Sequence, residues 1–384
     1  MYVIANMSDK HKQQHSIDSS TQLLAAYAVE RRDFTAAKLS GADLRSAQLT
    51  RVNLTSAVLF KANLSGAILW RANLSKADLV CANLKSAQLN RSNLAQTNFY
   101  EADLSGATLA ISNLHLANLE SAILSRCDLV HANLQGANLR HATLIQADLT
   151  QAELMDAVLH SAILTKAILF TANLTGANLE AADLGDASLQ KAILIKANLN
   201  RAQLDRANFR GANLTTASLA GASLVQSDLE TANLSQCYLL GADLTEANLS
   251  KADLTKANLT TANLSRANLL AANLTEGNFT RSILTDADLF GANLHRADLS
   301  GAVLTNADLR ETNLTDANLT GADLTGANLF SAELKGANCT NANFAGAKLY
   351  GAKLNTANLR GASYDDRTEF HTKFDPAKAG MNKI

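Results

Sequence analysis

The 384-residue chain is nearly devoid of proline: the only one is Pro376, close to the C-terminus. Proline cannot donate to a β-ladder, so its absence upstream leaves backbone pairing free to run without interruption. Aromatic residues make up 5% of the chain and tryptophan occurs once, which excludes an aromatic-dominated core. The four cysteines show no CxxC pairing, which argues against both a disulfide scaffold and a zinc cluster. Neither sign of charge dominates: 34 Lys and Arg face 35 Asp and Glu, for a net charge of −1. No global field therefore favours nucleic acid or an anionic membrane. No stretch of about eighteen apolar residues suggests a membrane span. The start, Met1–Ala5, lacks the charged head and longer apolar core of a secretory signal, and the expected location is the cytoplasm.

Catalytic signatures are missing as well. His115, His131, His141, His160 and His295 are scattered, with no nucleophile or acid partner at a useful spacing. No HExxH, P-loop or dinucleotide-binding glycine pattern occurs in a strand–turn–helix setting. The expectation is a protein that is not an enzyme and holds no cofactor or metal.

What the chain does have is a period of five. A leucine or close substitute recurs at every fifth position from Phe34 to Tyr364, giving 67 consecutive units. The centre is Leu in 60 of them, and the residue two before it is Ala in 56. The commonest unit is Ala-(Asn/Asp)-Leu-x-x, as in Ala62-Asn63-Leu64 and Ala242-Asp243-Leu244. An α-helix advances about 100° per residue, so such leucines would spiral round every side of it. A flat strand would send alternate leucines to opposite faces. Only a chain that bends once per unit keeps Leu and Ala on one inner side. That geometry is a coil of short extended segments and regular corners, in which stability is a nearest-neighbour property.

These units resemble the pentapeptide-repeat family, in the form of a cyanobacterial-type member, over roughly residues 32–366. The resemblance implies an all-β solenoid: a right-handed quadrilateral parallel β-helix of about 17 coils with a short N-terminal capping helix. At about 4.8 Å per coil the rod would be roughly 80 Å long. Residues 1–17 read as a mobile segment and 18–31 as the capping helix, with a capping box at Ser19 and Gln22 and apolar anchors at Leu23, Leu24 and Tyr27. Residues 367–384 read as a C-terminal cap or tail, with Asp375-Pro376 a suitable helix start.

A filled axis puts function on the walls or the ends. Residues twenty apart stack, so the residue after each centre sorts by wall. Two walls carry Thr and Ser ladders, such as Thr215, Ser235, Thr255 and Thr275, which read as solvated β-favourable surface. The other two carry large apolar residues: Trp70, Leu270, Phe290, Phe330 and Tyr350 on one, Phe60, Val80 and Tyr100 on the other. These are candidate partner or self-association surfaces. Arg51, Arg71 and Arg91 form a candidate basic column beside Trp70, and Asn53, Asn73, Asn93, Asn113 and Asn133 a structural amide ladder. The functional expectation is a rigid, non-enzymatic scaffold or interaction protein whose partner is a protein, including a homodimer through exposed aromatics or an end; no nucleic acid or membrane is expected. Two alternatives come from the resemblance: a regulator of cyanobacterial cell differentiation by protein contact, and a DNA mimic that binds DNA gyrase. Near-neutral charge and the absence of inserted loops disfavour the second.

Overall fold

The computed structural model describes residues 17–384. Its construction follows from the hydrogen bonds of one unit. In the unit centred on Leu74, the Asn73 N–H donates to Val52 C=O on the preceding coil (2.8 Å), and Leu74 N–H to Asn93 C=O on the next (2.8 Å). Lys76 N–H also reaches the next coil, at Ala95 C=O (3.0 Å), and Ala77 N–H closes a turn onto Leu74 C=O (2.9 Å). The remaining donor, Ser75 N–H, is taken by the Asn73 side-chain oxygen (3.1 Å). All five N–H groups are thus satisfied. This explains why Asn or Asp is common before the centre: its side chain folds into an Asx turn that caps the corner.

The corner itself is a turn whose second central residue has positive φ, the type II signature. Every such residue from Ala36 to Gly361 lies in the left-handed region, and 16 of the 19 glycines occupy this position. The others there are ordinary L-residues, down to the β-branched Ile111 at φ 59°.

Four units return the chain to the same wall. Parallel bridges join residues twenty apart, from Asp33↔Asn53 through Asn343↔Ser363, without a break. The next bridge, Lys348↔Glu369, spans twenty-one residues, so the strict register ends there by one inserted residue. The structure is therefore a parallel β-solenoid in which each side contributes a single bridge.

The axis is solid. The leucines and alanines at the inward positions from Leu54 to Leu349 are at most 2% exposed, and five phenylalanines (Phe34, Phe99, Phe209, Phe279 and Phe344) fill the centre in place of Leu. Small polar residues at inward positions bond back to the wall. Ser92 Oγ donates to Leu69 C=O (2.7 Å) and Thr97 Oγ1 to Leu74 C=O (2.8 Å). Cys127, Cys237 and Cys339 take the small inward position or the centre and are buried, and burial pushes each thiol pKa up to about 12. Cys81 faces outward and is half-buried.

At the N-terminal end, helix α1 spans Ser20–Ala28, shorter than the expected 18–31. Ser19 Oγ accepts from Gln22 N–H (3.3 Å), while Gln22 Oε1 accepts from Asp18 N–H (3.1 Å). Leu23 is fully buried and the Tyr27 hydroxyl donates to Thr50 C=O (2.9 Å). Leu24, read as an anchor, is instead 39% exposed: it adjoins Leu23 on the helix, and only one of two consecutive residues faces the coil. Of the segment read as mobile, residues 1–16 lie outside the described residues. Ile17 is buried, and its carbonyl accepts from Lys38 N–H (2.9 Å).

At the other end, β1 (Ser363–Tyr364) pairs in parallel with β2 (Asn382–Lys383), so the tail adds one more strand to a wall. Phe370 packs edge-on against Tyr364 (5.5 Å) and stacks on Phe374 (5.1 Å), and Met381 is buried. No helix starts at Asp375-Pro376. The Asp375 carboxylate accepts from Lys378 N–H (3.1 Å), but the chain makes a tight turn, with Met381 N–H on Pro376 C=O (3.0 Å), to bring β2 onto β1.

Candidate functional site

With the axis filled, the exterior carries whatever recognition the molecule has. The Thr and Ser ladders are not free arrays. Thr255 Oγ1 donates to Asp253 (2.5 Å) and accepts from Asn273 Nδ2 (2.8 Å), and Thr275 continues the pattern on Asn273 and Asn293. Their hydroxyls belong to the Asx-turn network rather than to solvent. The amide ladder is present in most of its steps: Asn93 Nδ2 donates to Asn73 (3.1 Å), Asn113 to Asn93 (3.3 Å) and Asn133 to Asn113 (3.3 Å). Asn53 donates downward to Asp33 (2.9 Å).

The apolar wall near the C-terminus separates into two parts. Phe330 and Tyr350 stack with ring centroids 6.1 Å apart, and His371 of the tail stacks on Tyr350 at the same distance. Phe330 and Tyr350 remain 43% and 52% exposed. Leu270 and Phe290 are half-buried. The Arg310 guanidinium lies 5.2 Å from the centre of the Phe290 ring, and Asp308 holds it there through Nε (2.8 Å). Arg310 therefore shields Phe290 and divides the wall. His371, outside the repeats, joins the open aromatic stack only because the tail folds back; no periodic signal in the sequence marks it.

On the opposite wall Phe60, Val80 and Tyr100 do lie on successive coils, as the bonds Lys61 N–H to Val80 C=O and Cys81 N–H to Tyr100 C=O show. Phe60 is the exposed member, with Lys61 Nζ 5.1 Å from its ring centre. Val80 and Tyr100 are half-buried, and the Glu101 carboxylate beside the Tyr100 phenol raises its pKa.

Arg51, Arg71 and Arg91 occupy the same corner on three successive coils, all exposed, and with Thr50, Trp70 and Asn90 they line a groove of about 400 Å³. No carboxylate among the described residues lies within ion-pair distance of these three guanidiniums. The charge setting was legible in the sequence, though the net value conceals it. Residues 44–100 hold seven Lys and Arg against a single acid, Asp78. Among the described residues no group of His, Cys, Asp and Glu is arranged to hold a metal ion. No described helix is long and apolar enough to cross a membrane.

Among solved structures, the chain is similar to a pentapeptide repeat protein from the Arabidopsis thaliana thylakoid lumen (37% identity, 23% of this chain and 61% of that one, TM-score 0.23). It is also similar to Rfr23 from the cyanobacterium Cyanothece 51142 (45% identity, 23% and 63%, TM-score 0.19). A third is HetL, involved in heterocyst differentiation regulation in Nostoc sp. strain PCC 7120 (28% identity, 90% and 96%, TM-score 0.19). The chain thus aligns with a little over 60% of the length of the first two. No curated protein matches it. The family model for pentapeptide repeats matches residues 33–169 and 172–361 in overlapping stretches, and with bridges at every twentieth residue the chain belongs to the pentapeptide-repeat family of right-handed β-helices.

Proposed function

We propose that this protein is a rigid scaffold, without catalytic activity, that binds another protein through its exterior. The observation that carries the reading is the solid axis: Leu and Ala side chains fill it along the repeats and leave no interior site for a substrate. Members of this family are generally non-enzymatic structural or interaction proteins, which supports the same reading. Helix α1 and the C-terminal tail act as caps that cover open ladder ends, discouraging end-to-end polymerisation and leaving the walls for recognition. The contact surface is the stack of Phe330, Tyr350 and His371, where aromatic area is exposed without a covering cation. Acidic residues are interleaved with cations, as in Asp186–Arg206 and Glu246–Arg266, which speaks against an acidic DNA-mimicking rod. Four free thiols fit the proposed cytoplasmic location.

The test is a double variant, Phe330→Asp/Tyr350→Asp, compared with wild type for mass in solution and for recovery of host proteins. Wild type is expected to carry a second copy or a host protein that the variant loses. Identical mass and identical recovery would remove the aromatic stack as the contact.

A further inference from the structure

The groove beside Trp70 is a different kind of surface. Its charge comes from Arg51, Arg71 and Arg91, stacked at the coil spacing of about 4.8 Å, so that the column spans roughly 10 Å. The segments facing it, 48–53, 68–73 and 88–93, contain no acid. Several of the acceptors around it are already in use. The Trp70, Asn90 and Ala110 carbonyls accept from Arg51, Arg71 and Arg91 N–H (2.8, 3.1 and 2.9 Å), and the Thr50 carbonyl from the Tyr27 hydroxyl (2.9 Å). The Asn90 side-chain oxygen accepts from Ala110 N–H (2.9 Å), which leaves its NH₂ as the available group. The groove therefore presents donors and positive charge while the Thr50, Trp70 and Asn90 carbonyls are occupied; the Arg51, Arg71 and Arg91 carbonyls accept no bond among the described residues. In the middle stands Trp70, 47% exposed, a flat apolar face with one N–H donor.

We propose that this groove binds a free nucleotide carrying two or more phosphates, with the base on Trp70 and the phosphates on the arginine column. Guanidinium forks match phosphate oxygens in geometry as well as in charge, and an indole face accepts a stacked base. The column also has ends. Beyond Arg91 the next corner is Ile111. Before Arg51 the next cation is Arg31, whose Nε is used on Asp33 C=O (2.9 Å) and whose guanidinium lies 5.2 Å from the centre of the Phe34 ring. A strand of nucleic acid would need the charge to continue along the rod; a compact ligand does not. A groove of about 400 Å³ is within the range of small-molecule sites.

Trp70 is the only tryptophan, so its fluorescence reports on this groove alone. ADP, inorganic pyrophosphate, adenosine, a single-stranded oligonucleotide and an acidic peptide would be titrated into the full chain, with calorimetry as a second readout. ADP is expected to change the Trp70 signal saturably, pyrophosphate to compete with it, and adenosine to bind more weakly than ADP. Arg71→Gln should weaken ADP binding about tenfold or more, and added salt should weaken it further. Gln already occupies the same turn position at Gln96, Gln146 and Gln226, so this variant keeps the fold, as circular dichroism would verify. No saturable response to ADP, a response unchanged in Arg71→Gln, or tight binding of the oligonucleotide or acidic peptide without ADP binding would each overturn the assignment.

Discussion

A Cβ added to Gly277 would lie 2.8 Å from Cε2 of Phe279 and 3.1 Å from the Leu274 carbonyl oxygen. Gly277 is the one glycine at the small inward position, and Phe279 is a fully buried centre. The large ring and the missing methyl group are two halves of one packing solution. Gly277 has no positive φ, so Gly277→Ala would ordinarily stabilise by limiting the unfolded chain. Overpacking reverses that sign, and the substitution is expected to cost about 1–3 kcal/mol. Phe279→Leu in the same background should recover most of the loss, because it removes the atom in conflict. Denaturant midpoints of the two single variants and the double variant measure the coupling.

Ile111 poses the opposite problem, since the strain lies in the backbone. Its φ is 59° and its side chain is 51% exposed, so a β-branched residue occupies a left-handed corner with little burial to offset it. Ile111→Gly is expected to raise stability by about 1 kcal/mol. The control is Gly41→Ala: nothing lies within 4 Å of the new Cβ, so any loss there is conformational. A midpoint that falls for Ile111→Gly would show that the side chain contributes more than its exposure indicates.

These two cases mark what could be read from the sequence and what could not. Leu and Ala at fixed positions imply an inner side, and the twenty-residue stacking of the exterior follows from four units per coil. The four-unit coil that the family resemblance implies therefore brings Arg51, Arg71 and Arg91 together, and Phe330 and Tyr350 likewise. The left-handed corner was also legible, because glycine concentrates at one position of the unit, yet the many L-residues there obscure it. The purpose of Asn and Asp required hydrogen-bond geometry. So did the union of His371 with Tyr350 and the shielding of Phe290 by Arg310, which depend on where the tail turns and where a long side chain comes to rest.

Asn318 sits at the capping position directly above an Asp, where an amide and a carboxylate should differ. Its Nδ2 donates to Asp298 Oδ1 (2.9 Å) while its Oδ1 receives Thr320 N–H (3.2 Å) and the Thr320 hydroxyl (2.6 Å). Asn318→Asp keeps the acceptor and removes the donor, setting one carboxylate directly over another. The expected cost at neutral pH is about 1–2 kcal/mol. The double variant Asp298→Asn/Asn318→Asp, which again leaves one carboxylate at this step, should cost less than the single one. Equal losses in thermal or chemical unfolding would mean that repulsion between the two carboxylates contributes nothing.

Asp365 is expected to make the C-terminal coil sensitive to acid. The Arg367 guanidinium beside it (Nε 2.8 Å), with Gly346 N–H (2.8 Å) as a further donor, holds its carboxyl at about 2, below the ordinary value of 3.8. A carboxylate depressed in the folded state stabilises it above the unfolded pKa, and that contribution is lost as pH falls through the folded one. Loss is therefore expected as pH drops from about 4 toward 2, at the point where the bridge register shifts to twenty-one residues. Asp365→Asn should flatten this acid response while leaving the coil formed at neutral pH, because the amide oxygen can still accept from Gly346. Amide exchange at Gly346, followed from pH 4 to pH 2 in both proteins, gives the measurement. Arg367 is largely exposed, so high salt should shrink the difference between them. A wild-type protection factor that stays level over this interval would show that the ion pair does not hold the last coil in place.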